Sequence, residues 1–168
     1  MSTIASSTTS SASRSPLPNP PPGMPRIVPH LFYRDVAAAA DWLAGAFGFN
    51  CRLRIADDTG LVVHAELELH DGLVMLGLAR EHAHWASPLD LGGQIMHRLF
   101  IYVDDVDAHH ARAIAAGARI TFAPADQWHG ERVYEAVDPE GHRWKFAHPI
   151  FAVDQTQLKR PPTPPGHD

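Results

Sequence analysis

The sequence predicts an α+β fold in which two tandem βαβββ modules form a curved mixed sheet around a cleft. Three observations carry this expectation: a strand–helix phrase occurs twice about seventy residues apart, three strand-length segments follow each copy, and prolines bracket the region holding both. In the first copy, Arg26–Arg34 is an extended apolar run that meets Asp35, a helix N-cap. Val36, Ala39, Leu43 and Phe47 then share one helical face, and Gly48 supplies a stop. Cys51–Ala56, Leu61–Leu69 and Leu73–Ala79 follow as strands, divided by the turn signals Asp57-Asp58-Thr59-Gly60 and Asp71-Gly72. The second copy runs Met96–Val103, then Asp104-Asp105, then a helix over Val106–Ala116 with Val106, Ala113 and Ile114 inward and Gly117 as the stop. Its strands are Ala118–Phe122, Arg132–Val137 and His142–Ala147, the last two joined by Asp138-Pro139-Glu140-Gly141. One helix covers one face of each sheet, so the other face must be buried against a partner or enclose something.

Composition limits what such a fold can do. The chain has 168 residues, with 14 basic and 19 acidic side chains and a net charge of −5. No Lys/Arg block provides the positive surface that nucleic acid requires, so no nucleic-acid partner is expected. A single Cys, Cys51, cannot form an internal disulfide, and no apolar run reaches membrane-spanning length. A cytoplasmic protein without a membrane partner is the expectation. Of 15 prolines, most lie before Arg26 or after Lys159, which predicts a disordered Ser/Thr- and Pro-rich head over 1–25 and a Pro-rich tail over 153–168. The domain between them is 26–152, with modules of about 26–80 and 95–150.

Several motifs together resemble the vicinal oxygen chelate superfamily of glyoxalases, bleomycin-resistance proteins and extradiol dioxygenases. They are Asp35-Val36 and Asp104-Asp105-Val106 opening the helices, Trp42-Leu43 with Phe47-Gly48-Phe49 closing the first, His64-Ala65-Glu66-Leu67, and Asp138-Pro139-Glu140-Gly141-His142-Arg143-Trp144. The resemblance implies metal ligands on the first and last strands of each module, at positions that fall near Val28, Leu76, Arg98 and Lys145. None of these is a metal ligand, and Arg98 and Lys145 would bring positive charge to a cation's place. No cofactor is therefore expected. A divalent metal has one alternative place, a His30/His64/Glu66 cluster.

Strand alternation assigns the lining of the cleft. Trp144 and Phe146 pack under a helix, which turns Arg143, Lys145 and Ala147 to the opposite face. Leu99, Ile101 and Val103 likewise leave Arg98, Phe100 and Tyr102 to the cleft, matched in the first strand by Val28, His30 and Phe32. Ala65, Leu67 and Leu69 turn inward and leave His64, Glu66 and Glu68. Phe32, Phe100, Tyr102 and Trp128 suit flat apolar surface, and Arg98, Arg143, Lys145 and Arg132 suit an anionic or carbonyl group. Arg132 has a second reading, as a brace for the Asp138 turn, and the cationic side chains have one as ion-pair partners of Glu66, Glu68 or Glu135. His64 and Glu66 share a strand face and are the catalytic pair if the protein is an enzyme. His82 with His84, and His109 with His110, make no closed metal site. The expected function is a homodimeric small-molecule binder lacking the usual metal site. The alternative is a metal-dependent lyase, isomerase or dioxygenase, or a metal-free acid/base catalyst, of the same superfamily. A third class is a scaffold that recruits partners through its Pro-rich ends.

Overall fold

The computed structural model describes residues 17–80, 85–154, 156 and 159. Expectations for the head up to residue 16, for His82 and His84, and for the prolines after Lys159 lie outside the described residues.

The chain forms β1 (His30–Tyr33), α1 (Val36–Phe47), β2 (Asn50–Ala56), β3 (Val62–Leu69) and β4 (Gly72–Leu78), then a short 3-10 turn at Pro88–Leu91. The phrase repeats as β5 (Leu99–Tyr102), α2 (Val106–Ala115), β6 (Arg119–Asp126), β7 (Glu131–Val137) and β8 (Arg143–Pro149). The two βαβββ modules are thus present, each as a four-stranded mixed sheet, ordered β1-β4-β3-β2 and β5-β8-β7-β6. β1 and β5 pair in parallel with β4 and β8, and the remaining pairs are antiparallel.

Both opening strands are shorter than the apolar runs that predict them. Pro29 has no N–H to donate, so pairing along β1 begins at His30, and β1 lies at the sheet edge as a proline there requires. β5 begins where Leu99 meets Trp144, one residue into β8, and the residues before Arg98 have no strand to pair with. β6 runs on to Asp126, beyond the predicted end.

Both helices start as the sequence dictates. The Asp35 carboxylate accepts from the amide of Ala38, and Asp105 accepts from those of Asp107 and Ala108. Gly48 closes α1 in the left-handed region at φ 76°. The inward stripe of α2 is corrected: Val106, His109 and Ala113 are buried, whereas Ile114 is 52% exposed. At 100° per residue Ile114 sits roughly 80° round from Val106, while His109 and Ala113 stay within about 60° of it.

The modules join through their helix-covered sides. α1 contacts α2, and residues of both modules form one core. Phe47 at the end of α1 packs on Phe146 at 4.8 Å and Trp144 at 5.4 Å between ring centroids. Asp138, in the β7–β8 turn, accepts from the Tyr33 hydroxyl at 2.7 Å and the Trp144 indole N–H at 3.1 Å. Glu140 of the same turn accepts from the amides of Arg34 and Asp35 and from the Ser87 hydroxyl. Because the shared core lies on the helix side, the uncovered faces of the two sheets are on the outside of the single chain.

Candidate functional site

The alternation along each strand decides what these open faces carry. Leu31, Tyr33, Ala65, Leu67 and Leu76 are buried in the core, which leaves His30, Phe32, His64, Glu66, Met75 and Gly77 on the open face of the first sheet. Tyr134, Trp144 and Phe146 are buried likewise, leaving Arg98, Phe100, Tyr102, Glu135, Arg143 and Lys145 on the second.

A pocket of about 240 Å³ opens on the first face, lined by His30, Phe32, His64, Gly77, Arg80 and Trp85 among others. Its walls are aromatic. Phe32 lies parallel to Trp85 within 4°, with centroids 5.8 Å apart, His30 is 4.6 Å from Phe32, and His64 meets His30 edge-on at 5.8 Å. The Arg80 guanidinium stands 5.9 Å from the Trp85 ring centroid. Partial burial, reinforced by nearby His64, lowers the pKa of His30 and favours the neutral imidazole. Gly77 makes room for the rings: a Cβ there would lie 2.7 Å from His30 Nε2 and 2.9 Å from Phe32 Cε1. Gly77→Ala is accordingly expected to displace both rings and to cost about 1–2 kcal/mol of stability. Loss of the His30–His64 ring-current contact in proton NMR, together with urea denaturation, checks this.

His64 and Glu66 share the face as expected but form no hydrogen-bonded dyad. His64 Nε2 is 3.8 Å from Glu66 Oε1, and the other carboxylate oxygen accepts from Arg52 Nε at 2.8 Å. Arg52 also donates to the Gly23 carbonyl, tying the proline-rich approach to β1 against β2.

On the second face, Glu135 draws in Arg98 at 2.6 Å and Lys145 at 3.4 Å. One carboxylate thus serves two cations, and Arg143 beside them is exposed, so positive charge is in excess at this spot. The Lys145 ammonium stands 5.8 Å from the Phe100 ring centroid, and Phe100 meets Tyr102 at 5.4 Å; both rings are about half exposed. Tyr102 donates to Glu131, which raises the phenol's pKa. Glu131 also pairs with His129 at 3.3 Å, and the neighbouring Trp128 in the β6–β7 turn packs edge-on against His129, forming the rim of this face.

Two residue placements are corrected. Arg132 is on the helix side, where it grips Asp107 of α2 through two nitrogens and Asp126 through a third. It belongs to neither the cleft nor the Asp138 turn, because β7 alternation turns it away from Glu131 and Glu135. Leu76 is fully buried in the core; the ladder sets Met75 opposite His30 just as Lys145 lies opposite Phe100. A one-residue offset moves a strand side chain to the other face. The four positions implied for metal ligands therefore hold Val28, Met75, Arg98 and Lys145. A thioether, an aliphatic chain and two cations do not fit a divalent metal. Among the described residues, no three His, Cys, Asp or Glu side chains converge in a way that would hold one.

One chain brings His30, Phe32, His64 and Glu66 together on one face and Arg98, Phe100, Tyr102, Arg143 and Lys145 on the other. It does not bring the two sets into contact. Trp85, Arg80 and Gly77 are pocket residues missed by sequence reasoning. Trp85 lies outside any periodic segment, but a glycine inside a predicted strand was a usable sign of close approach.

The family model for the Glyoxalase/Bleomycin resistance protein/Dioxygenase superfamily matches residues 23–146. The chain is 32% identical over 138 residues to the uncharacterized protein Mb0911c of Mycobacterium bovis, covering 80% of this chain and 90% of that protein. Among solved structures, TioX from Micromonospora sp. ML1 is 34% identical with a TM-score of 0.61, covering 74% of this chain and 98% of that one. A glyoxalase/bleomycin resistance protein/dioxygenase family enzyme from Burkholderia phytofirmans PsJN matches with a TM-score of 0.55 at 22% identity, over 70% of this chain and 93% of that one, which bears on fold alone.

Proposed function

From the premise that the chain belongs to the glyoxalase/bleomycin resistance protein/dioxygenase superfamily, we propose that it is a small-molecule binder of that superfamily that works without a metal at the usual strand positions. The observation that carries this reading is the chemistry of the open faces. Aromatic walls and an excess of cations stand where a metal enzyme needs donors, and they suit a flat organic molecule with an anionic or carbonyl group. The active form in this reading is a homodimer in the cytoplasm. Each first-sheet face, with Glu66 and Glu68, meets a partner's second-sheet face, with Arg98, Arg143 and Lys145, and the paired faces enclose the ligand. Exposed Leu53, Ile55, Phe100 and Phe122 on these faces support it, since apolar side chains gathered on one surface favour a covering partner.

The test combines three measurements on protein purified without chelators. Sedimentation is expected to give twice the chain mass, elemental analysis no stoichiometric Zn, Fe, Mn or Ni, and a thermal-shift panel of aromatic carboxylates stabilisation that falls in Phe32→Ala and Lys145→Ala. A stoichiometric metal that disappears in Glu66→Gln would overturn the reading in favour of an enzyme built on His30, His64 and Glu66. Stabilisation identical in wild type and both variants would remove the ligand from these faces.

A further inference from the structure

The open face of the first sheet is not bare along its whole length. Leu73 alternates with the core residues Val74 and Leu76 and so points to the open side, yet it is only 6% exposed. Both helices lie on the other side of the sheet. The segment before β1 crosses here: the pairing of His30 with Met75 sets Val28, two residues earlier, beside Leu73. Met24, Pro25 and Val28 of this segment are half-buried.

Arg52 fixes the path of the crossing. On the open face its Nε donates to Glu66 at 2.8 Å, and its two other nitrogens donate to the Gly23 carbonyl at 3.0 Å and the Met24 thioether at 2.6 Å. β1 and β2 are the two edges of the sheet, three strand spacings or about 14 Å apart. The four residues from Val28 back to Met24 also span at most about 14 Å. That match leaves no slack for a detour round the end of the sheet, so the segment runs as a strap over β4 and β3, above Leu73. Beyond it the chain turns back, with the Met24 amide donating to the Pro21 carbonyl and Arg26 to that of Asn19.

The face is thus closed at both ends. Phe32 and Trp85 stack at one end, level with Gly77, and the strap lies at the other, level with Leu73. Four steps along β4 separate the two levels, about 13 Å. We propose that Gly23–Val28 is the end wall of the ligand face and limits the length of flat ligand that lies along β4, so that a two-ring aromatic acid fits and a linear three-ring one does not. This rests on the ligand reading proposed above and adds to it a size class, with Arg52 and Met24 as the residues that hold the wall in place.

The test uses the full chain as wild type, as Arg52→Ala, and as Met24→Gly with Pro25→Gly, the last of which alters no residue of the sheet. Seating of the strap is read without any ligand, by hydrogen peroxide oxidation followed by mass spectrometry. Half-buried Met24 is expected to oxidise several-fold more slowly than fully exposed Met96 in wild type, and as fast as Met96 in Arg52→Ala. The binding probes are 2-naphthoate and p-terphenyl-4-carboxylate. Wild type is expected to bind the terphenyl about tenfold more weakly than the naphthoate, and both variants to bind the two alike, because the third ring then reaches Leu73. Equal oxidation of Met24 and Met96 in wild type would overturn the wall and leave the binder reading intact. A protected Met24 with the same preference between the probes in all three proteins would overturn it too, as would a wild type that takes both probes alike. Naphthoate that binds none of the proteins, or binds Phe32→Ala as tightly as wild type, would remove the ligand from this face and the wall with it.

Discussion

Asp138→Ala is expected to lower stability by about 3–5 kcal/mol, because one carboxylate organises four donors from three parts of the chain. One oxygen accepts from the Tyr33 hydroxyl and the Trp144 indole, the other from the amides of Glu140 and His142. Tyr33 and Trp144 are almost fully buried, so truncation leaves two donors without water or partner, and it loosens the turn that presents Glu140 to the start of α1. Asp138→Asn keeps the shape and one accepting oxygen and is expected to cost about half as much. Urea denaturation checks both, read as a shift of midpoint at constant slope. Equal stability of wild type and Asp138→Ala would show that the turn is not a junction between the modules.

The doubled architecture was legible because it rests on local signals: Asp35 and Asp105 as caps, Gly48 as a stop, and alternation along β3, β5 and β8. Those same periods placed His30, Phe32, His64, Phe100 and Lys145 on open faces. Longer-range facts were out of reach. Asp138 reads from sequence as a turn former, and nothing local says that its second oxygen reaches Tyr33, 105 positions away. Arg132 has the look of a ligand grip, yet its face depends on register within β7, and the acids that claim it lie on α2 and β6. Leu76 and Met75 are separated by one step of alternation, which a count from a distant turn does not resolve. Which sides of the modules meet is likewise set by the buried fit of Phe47 with Trp144 and Phe146, a contact between segments nearly a hundred residues apart.

His109 makes stability fall as pH drops from 6.5 to about 4, and by itself it accounts for about 3 kcal/mol of that fall. The residue occupies the inward stripe of α2 that an aliphatic side chain would ordinarily hold. One ring nitrogen lies 2.6 Å from the Tyr134 hydroxyl and the other 3.0 Å from the Phe47 carbonyl. A carbonyl only accepts, so Nε2 carries the proton and Nδ1 accepts from Tyr134; the neutral ring uses both nitrogens. Burial holds the pKa down at about 4, the bond to Phe47 pulls it up in part, and the Arg112 charge lowers it further. The unfolded chain takes up a proton near pH 6.5 and the folded chain does not, so protons favour unfolding throughout this window. Above pH 6.5 both states are neutral and the contribution is flat; below about 4 both are charged and the loss is complete. His142 and His30, also lowered by burial, act in the same direction. Asp90 and Asp107 are lowered carboxylates whose ion pairs weaken only at more acid pH, so the interval from pH 6.5 to 4.5 isolates the imidazoles. Unfolding free energies measured across that interval are expected to slope downward in wild type and markedly less in His109→Phe, even if the variant is less stable at pH 7.5 for want of the Phe47 and Tyr134 bonds. Parallel slopes for the two proteins would mean that His109 already carries a proton in the folded state, with the Tyr134 oxygen as its acceptor.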